Sequence, residues 1–296
     1  NTDNTLDGTN VDWTTAAYSL EGANAEGKVV VDGEGTYSID PTTGVVTFEP
    51  LPTFTGKAKG VNVEVSVTAT DSEGNKVPVT SKGAYTPKVT PVVPTAEPKE
   101  TTGKQGQPQT QETESMFKQG DEVAPIDKTT VKLVDPSGNE VTTMPALKDG
   151  KEVGTYTIDP TTGVITFQPN KDFTGTPDPA KVVAKDTNGT KVETTYTPTV
   201  TPVTPTADPA ETTDIQGKTQ TGKPTFTPGA DEVPMNDEVP ATFEDGSTEK
   251  VIPGEGTYTV APDGTVTFTP EKTFTGKGTG VTVKRVDKNG TPVTAK

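Results

Sequence analysis

Pairs of neighbouring carboxylates are the residues in this chain whose type and spacing suit general acid–base chemistry. The pairs are Glu97 with Glu100, Asp231 with Glu232, and Asp237 with Glu238. Two carboxylates that flank a substrate in a cleft can hydrolyse a glycosidic bond, one as the acid and the other as the base or nucleophile. Nothing else in the repeat converges on these pairs, and Asp and Glu are normally exposed. We therefore interpret them as solvated surface charge.

The chain contains no histidine and no cysteine among its 296 residues. This composition removes imidazole bases, thiol nucleophiles, disulfides and the usual ligands of structural zinc. No nucleophile, base and cleft can be assembled from the residues that remain. The sequence therefore predicts a protein that is not an enzyme and has no catalytic residue, no cofactor and no cofactor-binding site. A hydrolase of cell wall or sugar is the weakest functional class we considered.

Three aspartates recur at the start of similar turns and are the best candidates for metal ligands. Asp71, Asp186 and Asp287 each precede a short polar sequence that contains Gly three residues later. Calcium takes carboxylate oxygens, which this acidic chain has in excess, but no EF-hand-type loop occurs. An aspartate at this position of a hairpin turn accepts hydrogen bonds from its own backbone. We predict turn caps and no metal ligand, and we leave calcium dependence open.

Other local patterns suggest binding but have simpler explanations. Two Gly-Glu-Gly sequences, 33–35 and 254–256, lead into strands rather than helices and place an acidic residue where a phosphate would bind. The threonine-rich run 265–269 suits ice or sugar binding, but threonine on the outer face of a strand is first a strand former. Trp13 and Tyr18 suit a contact with a glycan, and we predict instead that they cap the core of the first domain.

An intramolecular Lys–Asn isopeptide bond is a covalent alternative to a disulfide in a chain without cysteine. It requires a buried lysine and asparagine beside a carboxylate on adjoining strands, and no such pair recurs at equivalent interior positions. Burying a lysine without these partners is costly. We do not predict this bond, and an intact mass lower by one ammonia per bond would reveal it.

The overall composition is that of an acidic β-protein. Lys and Arg number 26 and Asp and Glu 42, so the net charge is −16 and a phosphate backbone or an anionic membrane is repelled. There are 60 Thr and 35 Val against five Leu, which favours strands. No apolar run approaches the ~18 residues of a membrane span, and residues 1–30 show no signal peptide. We expect no nucleic-acid or membrane partner, and a fragment cut from a longer polypeptide.

A short block occurs three times and defines the architecture. Residues 35–48 read GTYSIDPTTGVVTF, residues 154–167 read GTYTIDPTTGVITF, and residues 256–268 carry a copy one residue shorter. The phenylalanines that end the copies lie 119 and 101 residues apart (167 − 48 and 268 − 167). A period of this size is typical of tandem domains rather than of a solenoid.

Proline-rich segments mark the joints between these domains. Residues 85–91 and 196–202 share a Tyr-Thr-Pro-x-Val-Thr-Pro sequence, and further prolines follow each copy. Proline fixes φ and favours an extended chain, so stiff connectors are predicted at 87–103 and 198–214. The predicted domains are 1–99, 100–210 and 211–296. By alignment the first lacks its opening strand and the third its final strand, which leaves edges that invite pairing with another chain.

Alternation of residues identifies each repeated block as a β-hairpin. Tyr156 and Ile158 alternate with threonine before an Asp-Pro-Thr-Thr-Gly turn, and Ile165 and Phe167 are spaced by two after it. A period of two places one face of a strand in a core. The predicted core residues are Tyr37, Ile39, Val46, Phe48, Phe54, Tyr156, Ile158, Ile165, Phe167, Phe173, Tyr258, Val260, Val266, Phe268 and Phe274. About seven short strands in roughly 100 residues predict an all-β fold of tandem immunoglobulin-like β-sandwich repeats, arranged as an elongated rod.

Three sequence blocks together resemble a known family. GTYTIDPTTGVITFQPNKDFTG, TYTPTVTPVTPTADPAETTD and QGKTQTGKPTFTPGADEVP are similar to the CshA-type fibril repeat of streptococcal and related Gram-positive surface adhesins, and the likeness covers nearly the whole chain. The resemblance implies an extracellular, non-enzymatic stalk repeat of a cell-wall-anchored fibrillar adhesin that projects a distal adhesive domain. The partners it implies are neighbouring repeats of the same polypeptide and, through the parent protein, a host matrix protein or other cells.

The sequence supports the function of a spacer, in which length is what the protein provides. Each sandwich adds about 40–50 Å if its strands, at ~3.3 Å per residue, run along the rod. The alternative is that the repeats are themselves a low-affinity multivalent adhesion module for a host matrix protein, glycan or partner cells. Small-angle scattering tests the rod, and pull-down with the repeats tests adhesion. The number of repeats in the parent, its ligand and its source species stay open.

Overall fold

A computed structural model describes residues 11–296 of the chain, so the predicted domain 1–99 is described from Val11 onward. The residues group into two compact units. Of the described residues, the first comprises residues 11–95, Gln119–Ile126 and Lys185–Lys191, and the second comprises Ala96–Lys118, Asp127–Ala184 and Val192–Lys296. The second unit contains a middle and a C-terminal repeat. The predicted domain boundaries at residues 99 and 210 stay predictions.

The first repeat is a sandwich of two antiparallel sheets. Its strands are β1 (Val11–Leu20), β2 (Val29–Val31), β3 (Gly35–Ile39), β4 (Val46–Pro50), β5 (Gly56–Lys57), β6 (Val61–Thr70), β7 (Lys76–Tyr85) and β8 (Lys88–Val89). One sheet has the order β1-β6-β7, the other has the order β2-β3-β4, and β5 pairs with β8. Leu20 and Val61 of the first sheet cluster with Tyr37 of the second, so the core lies between the sheets.

The middle repeat follows the same plan with additional strands. From Thr95 to Thr201 the elements are β9 (Thr95–Ala96), β10 (Lys99–Lys104), β11 (Gln109–Gln111), α1 (Thr113–Met116), β12 (Phe117–Lys118), β13 (Ile126–Val134), β14 (Glu140–Val141), β15 (Thr143–Lys148), β16 (Lys151–Ile158), β17 (Ile165–Pro169), β18 (Ala180–Asp186) and β19 (Lys191–Thr201). One sheet has the order β10-β19-β18-β13-β14 and the other β11-β17-β16-β15. Leu133 and Tyr196 on the first sheet and Ile165 and Phe167 on the second are completely buried.

The C-terminal repeat completes the pattern. Its strands are β20 (Thr206–Asp208), β21 (Gln220–Gly222), β22 (Thr225–Thr227), β23 (Thr242–Phe243), β24 (Glu249–Ile252), β25 (Gly256–Val260), β26 (Val266–Pro270), β27 (Val283–Val286) and β28 (Pro292–Ala295). The sheets have the orders β21-β26-β25-β24 and β23-β27-β28, and β20 pairs with β22. Phe243 and Val283 cluster with Tyr258 and Val260 from the opposite sheet. The predicted fold class of tandem immunoglobulin-like β-sandwich repeats is confirmed.

The repeated block forms the same hairpin in every repeat. In each copy a tyrosine lies directly opposite a phenylalanine, and the pairs are Tyr37–Phe48, Tyr156–Phe167 and Tyr258–Phe268. The ring centroids of these pairs are 4.4, 5.1 and 4.4 Å apart, respectively. Aromatic pairs at this spacing stabilise a core beyond the area that they bury. The pair therefore fixes the register of the hairpin as well as filling the core.

The turn of the hairpin is closed by an aspartate. In the middle repeat Asp159 Oδ1 accepts hydrogen bonds from the backbone N–H groups of Thr162 (2.9 Å) and Thr161 (2.8 Å). These bonds hold the pKa of Asp159 below its ordinary value. Gly163 then takes a φ of 72°, a conformation that costs glycine little. The Asp-Pro-Thr-Thr-Gly sequence thus encodes the reversal of the chain.

The predicted core residues divide into two groups by exposure. The buried ones are Tyr37, Tyr156, Ile158, Ile165, Phe167, Tyr258 and Val260. The partly buried ones are Ile39, Val46, Phe48, Phe54, Phe173, Val266, Phe268 and Phe274. The middle repeat holds most of the completely buried residues. Phe54 and Phe274 pack edge-on against the hairpin phenylalanine, with centroids 6.1 and 6.0 Å apart.

The predicted connectors contain regular structure. Strand β10 begins at Lys99, within the predicted connector 87–103, and β19 continues to Thr201, within the predicted connector 198–214. These two strands pair in parallel from Lys99 opposite Tyr196 to Lys104 opposite Thr201. Part of each proline-rich segment therefore belongs to a sheet. Among residues 11–296, the helical structure includes nothing of the length and apolarity that crossing a bilayer requires.

Candidate functional site

The paired carboxylates of the sequence bind lysine or arginine at the surface. Ion pairs join Glu97 to Lys99 (3.3 Å) and Lys118 (3.1 Å), Glu232 to Lys104 (2.8 Å), Asp237 to Arg285 (2.6 Å), and Glu238 to Lys288 (3.3 Å). Glu100 and Asp231 are exposed. Hydrogen bonds from lysine hold the pKa values of Glu97 and Glu232 below the ordinary value. An acid catalyst needs a carboxyl whose pKa is raised, so the lowered pKa values of Glu97 and Glu232 do not suit acid catalysis.

The three recurring aspartates all cap their turns. Asp71 Oδ1 accepts hydrogen bonds from the backbone N–H groups of Asn75 (2.8 Å) and Glu73 (2.9 Å). Asp186 and Asp287 make the same kind of turn, but they are only 2% and 0% exposed. Oδ2 of these two residues has no hydrogen-bond partner in the described part of the chain. The sequence predicted the cap, but nothing in the turn itself indicated burial.

Two glutamates of the Gly-Glu-Gly sequences are buried acceptors, a role that sequence reasoning missed. Glu255 is 7% exposed and accepts hydrogen bonds from Tyr258 Oη and from both the backbone N–H and the hydroxyl of Thr279 (2.8 Å each). Glu34 is 9% exposed and accepts one from the backbone N–H of Lys59 (3.0 Å). Each glutamate therefore ties the start of the hairpin to the strand or loop that follows it. Recurrence of Gly-Glu-Gly in two repeats was the available signal.

Glu255→Gln is expected to lower the stability of the C-terminal repeat at pH 7. It is also expected to make that stability change less as the pH falls. Burial opposes the charged form of Glu255, but the bonds from Tyr258 and Thr279 outweigh it and leave the pKa below its ordinary 4.5. A carboxyl with a lowered pKa stabilises the fold above its unfolded pKa, and this contribution is lost as pH falls below about 4.5. Loss of bonds to a buried charge costs about 1–3 kcal/mol. Urea unfolding of the variant and of the unchanged chain at pH 7, 5 and 3.5 measures the loss of stability and its dependence on pH.

The control for this substitution is Glu249→Gln, which removes an exposed carboxylate from the same repeat. An exposed change of this kind usually alters stability by less than about 0.5 kcal/mol. Equal losses for the two variants at pH 7, or an unchanged slope with pH in Glu255→Gln, would contradict the assigned role of Glu255.

The predicted cap formed by Trp13 and Tyr18 is wrong for the tryptophan. Trp13 is 56% exposed and lies in β1 where the register with β6 shifts between Asp12 and Ala17. The irregularity directs this part of the strand away from regular pairing, and the tryptophan faces solvent. Tyr18 is partly buried, and its ring lies against Gly44, where a Cβ would come within 2.7 Å of the ring. Only the tyrosine thus packs on the hairpin.

A segment at the start of the middle repeat closes one side of the sandwich. We call Lys99–Gln111 the opening segment. Its first part, β10, adds to one sheet in parallel with β19, and its last part, β11, adds to the other sheet with Gln109 opposite Phe167. A single stretch of chain therefore bridges the edges of both sheets.

Two glutamines hold the opening segment in place. Gln109 is 6% exposed, donates from Nε2 to the Thr199 carbonyl (2.9 Å) and accepts at Oε1 from the hydroxyl of Thr101 (2.5 Å). Gln105 is 7% exposed, donates from Nε2 to the Lys171 carbonyl (2.8 Å), and accepts at Oε1 from the backbone N–H of Val203 (3.1 Å). These buried amides are satisfied by three backbone groups and one threonine hydroxyl, which makes the segment costly to remove.

The C-terminal repeat has two of these four hydrogen bonds, on glutamines that are exposed (Gln216) or partly buried (Gln220). Gln216 donates from Nε2 to the Lys272 carbonyl (2.9 Å), and Gln220 accepts from the hydroxyl of Thr212 (2.7 Å). The spacing of the two glutamines is the same as in the middle repeat (109 − 105 = 4 and 220 − 216 = 4). The glutamines were visible in the sequence as a recurring block, but their structural role required the fold.

The turn of the opening segment is also the contact between the middle and C-terminal repeats, which lie in one compact unit. Asn289 Nδ2 donates to the Gln105 carbonyl (2.9 Å), and a Cβ on Gly106 would come within 2.2 Å of Asn289 Oδ1. Lys104 forms its ion pair with Glu232 beside this bond. The junction is therefore built from the turn that follows Asp287 and from the loop that contains Glu232.

The fold and these contacts define a class of protein: tandem β-sandwich repeats whose conspicuous polar side chains serve structure. The model of the surface adhesin CshA repetitive domain matches residues 4–89, 91–200 and 202–296. The chain belongs to this family. The match covers nearly all of the sequence in three consecutive copies, as the sequence resemblance predicted.

Solved structures give further similarities. Repeat domain 13 of the fibrillar adhesin CshA from Streptococcus gordonii is 70% identical over 22% of this chain and 85% of that domain, with a TM-score of 0.15. Mouse cadherin-23 EC22–24 is 12% identical over 99% of this chain and 86% of that one, with a TM-score of 0.32. Human CDH23 EC21–23 is 12% identical over 96% and 89%, with a TM-score of 0.28. No curated protein matches the chain. The family assignment rests on the family model.

Proposed function

We propose that this chain is a segment of the stalk of an extracellular, cell-wall-anchored fibrillar adhesin and that its function is to hold a distal adhesive domain away from the cell. The observation that carries the proposal is the recurrence of one sandwich in three consecutive family matches. Hydrogen bonds between the middle and C-terminal repeats, centred on Asn289 and Gln105, support it because a spacer needs junctions that resist bending.

The surface chemistry supports the same function. The net charge of −16 makes neighbouring copies repel one another, which keeps closely spaced fibrils soluble and separate. The ionisable pairs of the sequence are used in surface ion pairs and turn caps rather than in a cleft. This use of the polar residues, together with the family, supports a non-enzymatic role.

Small-angle scattering on the chain and on a tandem duplicate of it tests the spacer function. A rod is expected to show a maximum dimension that grows in proportion to the number of sandwiches, by about 40–50 Å for each one. The matched control replaces Pro202, Pro205 and Pro209 of the second connector by glycine, which is expected to shorten the average dimension because the chain there becomes flexible. A compact envelope, or a dimension that does not grow in the duplicate, would overturn the proposal.

The alternative, in which the repeats themselves adhere, makes a different prediction. Beads coated with the chain alone would then bind immobilised host matrix protein, glycan or partner cells, and binding would rise steeply with the density of the coat because it is multivalent. A spacer without adhesive function leaves such beads unbound at every density. The two functions are thus separated without knowledge of the parent protein.

A further inference from the structure

The larger sheet of the middle repeat begins and ends, along the chain, with two strands that pair with each other. Strand β10 comes first in the chain and β19 comes last, and they are neighbours in the sheet. They run in parallel, with Lys99 opposite Tyr196 and Lys104 opposite Thr201. The chain therefore enters this sheet at Lys99 and leaves it at Thr201, at opposite ends of the paired stretch.

This arrangement determines the direction in which a pull on the chain acts on the repeat. Tension draws Lys99 back toward the residues before it and Thr201 forward toward the residues after it. The paired stretch covers five residue steps (104 − 99), about 17 Å at ~3.3 Å per residue, whereas neighbouring strands are only ~4.8 Å apart. The line from entry to exit therefore runs mainly along the strands, and tension slides one strand past the other. Bonds across the pair are then loaded together rather than one after another.

Hydrogen bonds at the Thr201 end of the pair reinforce it. The backbone N–H of Gln105 donates to the Thr201 carbonyl (2.8 Å), and Gln105 Oε1 accepts from the backbone N–H of Val203 (3.1 Å). The hydroxyl of Thr201 donates to the Gly103 carbonyl (3.1 Å). The end of the pair from which the chain leaves the sheet is thus connected by backbone and side-chain bonds.

Buried side chains connect the same two segments nearer the other end of the pair. The hydroxyls of Thr101 and Tyr196 share a hydrogen bond (2.7 Å), and Tyr196 is completely buried. Gln109, which is also buried, donates from Nε2 to the Thr199 carbonyl (2.9 Å). Breaking a bond of this kind leaves a buried polar group without a partner, which is costly. Side-chain bonds therefore lie along the whole length of the pair.

We propose that the β10–β19 pair is a mechanical clamp and that bearing tension along the chain is a further function of the middle repeat. The clamp consists of the two strands and the hydrogen bonds that connect the opening segment to β19 and Val203. Tension must break these bonds together before the sandwich opens, because the force runs along the strands. The property belongs to the fold of one repeat, so it goes beyond the spacer function and does not depend on it.

Single-molecule pulling on the full chain tests the clamp, with the direction of the load as the variable. The chain has no cysteine, so DNA handles attach only to cysteines that are introduced. Pro98→Cys with Thr204→Cys pulls β10 and β19 in opposite directions, and we call this the sliding geometry. Pro98→Cys with Glu193→Cys pulls both strands from the same end, and we call this the peeling geometry. All three positions are exposed.

At one constant force, the sliding geometry is expected to unfold the repeat at least about tenfold more slowly than the peeling geometry, because peeling breaks the bonds in turn and forced unfolding follows the unfolding rate. In the sliding geometry 106 residue steps lie between the handles (204 − 98). Their unfolding is recognised by a gain in contour length of about 330–360 Å. Equal unfolding rates in the two geometries would overturn the proposal.

Thr201→Val tests one bond of the clamp, since it removes the hydroxyl that donates to Gly103 at an exposed position and keeps a strand former there. In the sliding geometry it is expected to raise the unfolding rate by about three- to tenfold, the effect of one lost hydrogen bond. In the peeling geometry it is expected to change little, because this bond lies at the far end of the pair from the load.

The matched control is Thr110→Val, an exposed position on β11, which pairs with β17 rather than with β19. It is expected to leave the unfolding rate unchanged in both geometries. An equal effect of Thr201→Val in the two geometries would mean that its hydroxyl serves general stability alone. That result, or an equal effect of the two valine substitutions in the sliding geometry, would overturn the clamp.

Discussion

Phe167→Ala is expected to lower the free energy of unfolding of the middle repeat by about 3–5 kcal/mol, the range measured for phenylalanine removed from a core. Phe167 is 0% exposed and contacts Tyr156 across the hairpin at a centroid distance of 5.1 Å. Gln109 lies opposite it on the other neighbouring strand. Because strands flank this position on both sides, the cavity cannot fill by a simple shift of the backbone, and the loss should lie at the upper end of the range.

Phe48→Ala in the first repeat is the matched comparison, since Phe48 holds the same position in the same hairpin. Its ring stacks on Tyr37 at 4.4 Å, but it also lines a surface groove of the first repeat and is only partly buried. Less apolar area returns to water on truncation, so the expected cost is smaller, about 1–3 kcal/mol. Denaturant unfolding followed by hydrogen exchange assigns each loss to its repeat. Equal costs would contradict the difference in burial between Phe167 and Phe48.

The hairpin could be predicted from the sequence because all of its determinants are local. Alternation placed Tyr156 and Phe167 on one face, and the Asp-Pro-Thr-Thr-Gly turn fixed their register. Three copies of the block, at a spacing of about one domain, then indicated tandem domains. The exposure of the partly buried members, such as Val266, depends on what covers them and is not a local property.

The opening segment could not be assigned from the sequence for the opposite reason. Lys99–Lys104 reads KETTGK, which has no apolar alternation, and its parallel partner begins at Tyr196, far along the chain. Pairing of this kind is determined by tertiary contacts, which leave no local pattern in the sequence. The prolines were therefore the only local signal, and they indicated a connector. The burial of Glu255 was hidden in the same way, because its partner Thr279 lies on a different stretch of chain. Both features emerge only when the two sheets are placed face to face.

The glycine that begins each hairpin gives the second large expected effect. Gly35 has a φ of 153° and pairs opposite Pro50, and a Cβ at this position would lie 2.2 Å from the Glu49 carbonyl oxygen and 2.8 Å from Pro50 Cα. Gly256 has the same geometry, with a φ of 152° and a Cβ contact of 2.4 Å to the Thr269 carbonyl oxygen. The closest atoms belong to backbone, so no side-chain rotation relieves the clash. Glycine is required at this position because the facing strand approaches the Cα directly.

Gly35→Ala is therefore expected to cost the first repeat about 3 kcal/mol or more, from an unfavourable backbone conformation and a steric clash together. In a repeat of this size that loss lowers Tm by at least about 12 °C. Gly83→Ala is the control, since Gly83 lies in β7 of the same repeat, has no positive φ, and has open space where a Cβ would be. It is expected to leave Tm unchanged or raise it slightly, because alanine reduces the entropy of the unfolded chain. Calorimetry measures the Tm of the two variants. Equal Tm values for Gly35→Ala and Gly83→Ala would mean that the facing strand can move away, and that the tight start of the hairpin is not a constraint on the fold.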